Sequence, residues 1–302
     1  MPVGLKQDIT LETVNNKTVT KSSSKRHNPF QISVNRDLIK VLVDFIHNET
    51  SRFGISKVVI GLSGGVDSTV AAYLAQKALG PKNVVAVLMP YRESSSESIR
   101  DALTVIKALR IKSTIIDITG AVDALIQNDP DIESSQVRKG NVIARMRMIY
   151  LFDQSNEHKA LVLGTGNKTE ILLGYTTLYG DSASALNPIG DLYKTQVWQL
   201  AELLGCPKQI IRKKPSADLW RGQTDEGELG FTYREADELL YYMVDQRFSE
   251  KELIEMGFKP KLIKTVKSLV RRNQFKRVMP VIAKVSNRTV NVDFRYNRDW
   301  NT

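Results

Sequence analysis

The chain has 302 residues, enough for one large domain, and its 42% hydrophobic content excludes a chain that is disordered as a whole. It carries a formal net charge of +10, and its single cysteine, Cys206, excludes internal disulfide bonds and sites built on a cysteine pair. No apolar run reaches the length of a membrane span, so we expect a cytoplasmic protein with no membrane partner.

The N-terminal half has the pattern of an α/β fold. Residues 1–31 are polar and patternless, which predicts a flexible tail before a single domain over 32–302. Apolar residues at helical spacing from Val34 predict a first helix that ends near Gly54. Short apolar runs then alternate with helical segments. The predicted strands are 57–62, 83–90, 112–118 and 159–166, and the main helices between them are 66–79, 94–109 and 135–154.

This alternation predicts a parallel, doubly wound sheet flanked by helices, which forms a core up to about residue 205. Ser94 and Glu97 have the spacing of a capping box at the start of the second of those helices. After the core, helical patterns predict a mostly helical C-terminal part. Its predicted helices are 194–204, 234–247, 250–256 and 259–272.

A glycine-rich loop, Ser63–Ser68 (SGGVDS), follows the first predicted strand directly. Its glycines let backbone N–H groups approach an anion, and the following helix adds its positive N-terminal end. Asp67 would repel a phosphate unless Mg²⁺ lies between them. A plain glycine turn capped by Asp67 is the structural alternative. Two other stretches, 89–93 and 165–170, follow strands at the same sheet edge, which favours a ligand site there.

The loop resembles the pyrophosphate loop of the N-type ATP pyrophosphatases, which cleave ATP between its α and β phosphates. Residues 161–205 and 213–233 resemble successive blocks of the NAD synthetases, and FKRVMP at 275–280 resembles their C-terminal signature. The resemblance covers about 34–280. It implies an adenine nucleotide alpha hydrolase-like (Rossmann-like) fold. It also implies ammonia-dependent amidation of nicotinic acid adenine dinucleotide (deamido-NAD) through an acyl-adenylate, giving NAD, AMP and pyrophosphate.

The resemblance also implies roles for individual residues. Asp67 and Lys194 are expected to be catalytic, and Asp67 and Glu170 to bind Mg²⁺. The residues expected to bind ATP are Gly61, Leu62, Ser63, Gly64, Gly65, Val66, Asp67, Ser68, Met89, Thr165, Lys194 and Ser216. Arg145, Asp181 and Lys276 are expected to bind deamido-NAD, with Arg147 as the alternative arginine.

Several readings stay open. Glu170 could be a first-turn helix acid, and Met89 could be core. Family positions that contact the dinucleotide fall on Leu178, Ala185 and Phe275 here, so those contacts depart from the pattern.

The resemblance implies ATP and deamido-NAD as substrates. About thirty polar residues before the first helix are too few for a fused amidase domain, so we expect free ammonia as the nitrogen donor unless a separate glutaminase delivers it. The resemblance implies a homodimer, in which helix 135–154 could take part. Leu219–Gly230 is expected to be a mobile lid.

Two other functions compete with this interpretation. One is an AMP-forming ATP pyrophosphatase that acts on another carboxyl or carbonyl substrate. The other is a nucleic-acid-binding protein with a residual nucleotide loop. The basic run 259–277 lacks the alternation of aromatic and basic residues typical of a nucleic-acid stacking platform, so we expect no nucleic-acid partner.

Overall fold

The structure is a computed structural model that describes residues 34–290, except Phe53, Arg221 and Met279. The predicted tail, 1–31, lies outside the described residues. Within the described part of the chain, no helix combines the length and apolarity needed to cross a bilayer.

A parallel four-stranded sheet forms the centre of the described chain. Its strands are β1 Val58–Gly61, β2 Val84–Leu88, β3 Lys112–Ile115 and β4 Leu161–Leu163. The spatial order is β3-β2-β1-β4, with Val59 of β1 aligned with Val85 of β2 and Val162 of β4. The chain therefore moves outward from β1 to β3 and then returns to the other side of β1. This reversal makes the carboxyl ends of β1 and β4 the switch point where doubly wound sheets bind ligands.

Twelve α-helices surround and extend this sheet in the described residues. They are α1 Arg36–Arg52, α2 Val66–Leu79, α3 Ser96–Leu109, α4 Thr119–Asn128, α5 Gln136–His158, α6 Lys168–Leu173, α7 Lys194–Leu204, α8 Lys208–Arg212, α9 Asp225–Leu229, α10 Tyr233–Leu240, α11 Glu250–Glu255 and α12 Pro260–Arg272. The predicted parallel sheet, its flanking helices and the helical C-terminal part are confirmed.

The sheet is covered on both faces, as its apolar strands predicted. Val58 and Ile60 of β1 pack into one hydrophobic cluster with Leu200 of α7. The intervening Val59 packs into a second cluster, on the other face, with Ile143 of α5. Successive side chains of a strand point to opposite faces, so a four-residue run can only be apolar throughout when both faces are buried.

Some predicted boundaries are wrong for local reasons. Ser95, not Ser94, caps α3, because its side-chain oxygen accepts a hydrogen bond from the Glu97 N–H at 3.2 Å. The predicted helix 234–247 ends at Leu240 and continues as a π-helical turn, Tyr241–Asp245. The short helices α8 and α9 were not predicted, since five residues give too little periodicity to detect.

The C-terminal helices pack onto the end of the core rather than forming a separate layer. Leu173 of α6 and Tyr193, just before α7, share a third hydrophobic cluster with Leu239 of α10 and Ile263 of α12. The residues that follow β4 therefore pack against α10 and α12 as well as extending from the sheet.

Candidate active site

A cavity of about 830 Å³ lies at the carboxyl ends of β1, β2 and β4. This is the size range of small-molecule and cofactor sites. All but two of the site residues expected from the sequence line it. The lining residues among them are Gly61, Leu62, Ser63, Gly65, Val66, Asp67, Ser68, Met89, Thr165, Glu170, Asp181, Lys194, Ser216 and Lys276. The structure places Gly64 and Arg145 outside this lining.

The glycine loop is shaped by its own serines. The two hydroxyls of Ser63 and Ser68 lie 3.0 Å apart, and the Gly65 N–H donates to the Ser63 Oγ at 3.2 Å. Gly64 has a φ of 78° and turns away from the cavity, where an added Cβ would lie 2.2 Å from the carbonyl oxygen of Ser98 on α3. Only glycine fits this left-handed position against α3, so the loop is held open by contacts outside the cavity.

Behind the loop, Lys194 joins two acids into one cluster, here called the acid–lysine triad (Asp67, Glu170 and Lys194). The Lys194 Nζ lies 2.5 Å from Asp67 Oδ2 and 3.3 Å from Glu170 Oε1. Lys194 is only 2% exposed, and its ammonium also lies 5.0 Å from the centre of the Tyr233 ring. Lys194 thus contacts both predicted acids, of which Glu170 is 24 residues and Asp67 127 residues away in sequence.

Asn167 fixes both acids of the triad. Its side-chain Nδ2 donates to Asp67 Oδ1 at 2.9 Å, and its backbone N–H donates to Glu170 Oε2 at 3.1 Å. The Asn167 side chain in turn accepts from the Glu170 N–H, which completes a capping box at the start of α6. Glu170 is therefore both a first-turn helix acid and a member of the site, as the two sequence interpretations allowed.

The surroundings of the triad raise the pKa values of both Glu170 and Lys194. Burial, and secondarily the neighbouring Asp67 charge, raise the pKa of Glu170 to about 8, although Lys194 opposes this. Burial acts to lower the pKa of Lys194, but the charges of Asp67 and Glu170 outweigh it and raise that pKa, so Lys194 is an ammonium.

The described residues contain no group of three or more His, Cys, Asp or Glu side chains placed to hold a metal. Two carboxylates completed by phosphate oxygens are, however, a donor set that Mg²⁺ accepts. Asp67 and Glu170 therefore fit such an ion.

A buried aspartate on α10, which the sequence did not indicate, positions Lys194. Asp237 Oδ2 accepts from the Thr195 N–H and hydroxyl, both at 2.8 Å, and its Oδ1 accepts from the Thr169 hydroxyl at 2.5 Å. The same Thr169 oxygen accepts from the Lys194 N–H at 3.0 Å. This network ties the first turn of α7 to α6 through α10. The sequence signal that could have indicated this buried acid is its place among the apolar positions of α10.

Asp225 is a further acid in the cavity lining that sequence reasoning missed. It is 4% exposed, and its carboxylate accepts hydrogen bonds from the hydroxyls of Tyr233 at 2.9 Å and Tyr175 at 3.3 Å. Burial raises its pKa above the ordinary aspartate value. Two phenol donors thus hold a buried carboxyl group at the first residue of α9.

Arg145 and Arg147 of α5 have different surroundings. Arg145 is exposed, and its Nε donates to the carbonyl oxygen of Leu178 at 3.2 Å. Arg147 lines the cavity, where its Nε donates to the Met89 carbonyl oxygen at 3.2 Å and its Nη2 to the Ser94 hydroxyl at 3.3 Å. Burial lowers the pKa of Arg147. Of the two, Arg147 is the one that faces the cavity.

Lys276 and Asp181 lie at the other end of the cavity, held by backbone groups. Lys276 Nζ donates to the carbonyl oxygens of Gly174 and Thr176, both at 2.7 Å. Asp181 Oδ1 accepts from the Thr177 N–H at 2.7 Å. Both charged side chains are thereby fixed around the loop that follows α6.

Residues 215–220 and 222–224 line the cavity, on the side of α3 and α5. Ser216 Oγ accepts from the Asp218 N–H at 3.1 Å, and the Asp218 carboxylate accepts from the Ser95 N–H at the start of α3 at 3.1 Å. Leu219 approaches Gly140 of α5 so closely that a Cβ there would lie 3.0 Å from its Cδ1. The predicted lid thus begins in a segment packed on two core helices; its motion stays a prediction.

Comparison with known proteins is consistent with this geometry. The family model described as NAD synthase matches residues 38–280. The NH(3)-dependent NAD(+) synthetase of Trichlorobacter lovleyi is 56% identical over 271 residues, which are 89% of this chain and 98% of that protein.

Two solved structures are also similar to the chain. The NH3-dependent NAD synthetase of Campylobacter jejuni in complex with nitrate has a TM-score of 0.71 and 35% identity, covering 82% of this chain and 99% of that one. The NMN synthetase of Francisella tularensis has a TM-score of 0.75 and 33% identity, covering 84% of this chain and 100% of that one. The family match spans most of the chain and includes the whole sheet and the acid–lysine triad, and so the chain belongs to the NAD synthase family.

Proposed function

We propose that the chain catalyses the ATP-dependent amidation of deamido-NAD by ammonia, the last step of NAD biosynthesis, giving NAD, AMP and pyrophosphate. The observation that carries this proposal is the acid–lysine triad beside a glycine loop at the sheet's switch point, in a chain 56% identical to an NH(3)-dependent NAD(+) synthetase. Amidation needs activation, because a carboxylate oxygen is a poor leaving group and AMP is a good one.

The chemistry proceeds in two steps. A carboxylate oxygen of deamido-NAD attacks the α-phosphorus of ATP, and the bond to the β-phosphate breaks, releasing pyrophosphate. Ammonia then attacks the acyl carbon, the bond to AMP breaks, and the nitrogen loses a proton. Lys194 is suited to offset negative charge that grows on the phosphates, because its two carboxylate partners keep it charged inside the protein.

We propose Mg²⁺ as the cofactor, held by Asp67 and Glu170. When bound, the ion would offset charge on the departing pyrophosphate. The chain's own contribution is to fix the two carboxylates. Asn167 hydrogen-bonds both of them, so neither can turn away without losing a contact of about 3 Å.

The remaining substrate assignments are also part of the proposal. Residues 61–68 with Met89, Thr165, Lys194 and Ser216 are proposed to bind ATP. Asp181 and Lys276 are proposed to bind deamido-NAD, with Arg145 at the rim and Arg147 inside the cavity. All of these residues except Gly64 and Arg145 line the cavity, which supports the assignments.

We propose a homodimer that forms through α5 in the cytoplasm. Three large apolar side chains of this helix, Val137, Ile149 and Phe152, are 68%, 53% and 43% exposed, which gives α5 apolar surface that a second copy could cover. The buried, unpaired thiol of Cys206 suits a reducing compartment. An Ile149→Glu variant should elute as a monomer in light-scattering chromatography, whereas a wild-type chain that is already monomeric contradicts the dimer.

The deciding experiment supplies ATP, MgCl₂, ammonium chloride and deamido-NAD and follows NAD, AMP and pyrophosphate. We expect the three products in equal amounts. A parallel reaction offers nicotinic acid mononucleotide, because one structural neighbour is an NMN synthetase. Amidation of the mononucleotide alone, or AMP formed without NAD, contradicts the proposal, and the absence of any AMP would leave a binding protein instead.

A further inference from the structure

A second lysine approaches the glycine loop from the side opposite to the acid–lysine triad. Lys213 follows α8, and its Nζ lies 2.9 Å from Asp101 Oδ2 and 3.2 Å from Ser98 Oγ, both on α3. The same two α3 residues pack against the turn of the loop at Gly64. A Cβ on Gly64 would lie 2.2 Å from Ser98 O and 3.2 Å from Asp101 Cβ. Lys213 also lines the cavity.

The strand order places Lys194 and Lys213 on different sides of the glycine loop. Lys194 contacts Glu170 of α6, which follows β4, whereas Lys213 contacts α3, which follows β2. Because β1 lies between β2 and β4, the loop after β1 lies between the two ammonium groups. The loop itself contains no lysine, so both nearby lysines come from later segments of the chain.

Lys213 retains the capacity to bind a ligand. The buried Asp101 carboxylate is already served by a second donor, the Gln209 Nε2 at 3.1 Å from Oδ1. The Lys213 side chain keeps 21% of its surface exposed, against 6% for Asp101. An ammonium has three N–H donors, and the two contacts on α3 use two of them. The third donor is therefore available on the part of the side chain that remains accessible.

Charge explains why the site needs this second cation. Lys194 is paired with two acids, and a Mg²⁺ ion held by these acids would offset only part of the charge of a polyphosphate beside them. The N-terminus of α2 contributes only a partial positive charge. We propose that Lys213 binds the pyrophosphate end of ATP, and the released pyrophosphate, from the α3 side of the loop. This inference rests on the proposed cleavage of ATP between its α and β phosphates.

The test is the binding of inorganic pyrophosphate to the full chain in MgCl₂, measured by titration calorimetry. Lys213→Met should weaken binding by about tenfold or more, the size of one lost charged hydrogen bond. Lys213→Arg should restore part of the affinity. Lys208→Met removes the same charge from an exposed position of α8 and should change nothing. In turnover, Lys213→Met should raise the KM for ATP and leave the KM for deamido-NAD unchanged.

Asp101 is 4% exposed, so Lys213→Met could unfold by leaving its carboxylate without a cation. If Lys213→Met unfolds, the double variant Asp101→Asn/Lys213→Met, which removes both charges, tests whether Lys213 contributes to pyrophosphate binding. Wild-type pyrophosphate affinity in a folded Lys213 variant overturns the role of Lys213. A wild-type chain that binds pyrophosphate normally but forms no NAD contradicts the proposed function and leaves this inference standing.

Discussion

The ion pair between Asp67 and Lys194 should stabilise the fold as well as serve the reaction. The two charged atoms are 2.5 Å apart, and Lys194 is 2% exposed. At an effective dielectric constant of about 20, this attraction amounts to roughly 7 kcal/mol before the cost of desolvation. Removing one partner of a buried pair costs about 3–5 kcal/mol in measured cases.

For Asp67→Asn we expect a loss at the lower end of that range, about 3 kcal/mol. Lys194 keeps its contact with Glu170 at 3.3 Å, and Glu170 ionises more readily once the neighbouring Asp67 charge is gone. Because both acids contact a buried lysine, they contribute to the stability of the fold as well as to the site.

The assay is chemical denaturation of the variant at pH 7 without nucleotide, with NAD formation measured on the same preparation. Asp191→Asn is the matched control, since Asp191 pairs with Lys168 at 3.1 Å but is 92% exposed, and such surface pairs contribute about 0–1 kcal/mol. Both activity and stability should fall only in Asp67→Asn. Equal stability losses in the two variants, or none in Asp67→Asn, would refute the argument from burial.

Three further outcomes follow from local structure. Gly64→Ala should lower the free energy of unfolding more than Gly205→Ala does in denaturant titrations. Both glycines have φ above 70°, but only at Gly64 would an added Cβ meet another atom, Ser98 O, at 2.2 Å. Equal losses would show that the loop can shift to accommodate the Cβ. Burial raises the pKa of Cys206 to about 12, so a thiol reagent at pH 8 should modify it only after unfolding, and rapid labelling of native protein contradicts this. Burial raises the pKa of Asp237 to about 6 from 3.8. The contribution of this group to the free energy of unfolding is therefore fully present below pH 4, and about 3 kcal/mol of it is lost as the pH rises through 6. Unfolding free energies compared with those of Asp237→Asn between pH 4 and 7 test that trend, and parallel curves would contradict it.

The sequence predicted the parts of the molecule that local pattern encodes. The helix at Val66–Leu79 and the one at Lys194–Leu204 were predicted at their observed bounds, and a glycine follows each of them. The position of Asp67 and Glu170 at neighbouring strand ends followed from parallel topology. What the sequence could not supply is which groups these residues meet.

Asp237 illustrates the difference. Its position among the apolar residues of α10 predicts burial, but nothing in the sequence indicates that it receives three hydrogen bonds from Thr169 and Thr195. Lys213 is similar, since its contact with Asp101 depends on the docking of α8 against α3. Such contacts arise from tertiary packing, and a single chain without its fold carries no signal of them.

The long sequence separations within the site also bear on how the protein is made. Asp67 and Lys194 are 127 residues apart, and Asp101 and Lys213 are 112 residues apart. At about 5–20 residues per second, roughly 6–25 s of synthesis separate the emergence of the acid from that of the base that neutralises it. A ribosome-bound chain therefore exposes a glycine turn that still lacks both cations, and nucleotide capture by a nascent chain would mark the moment when translation has passed α8.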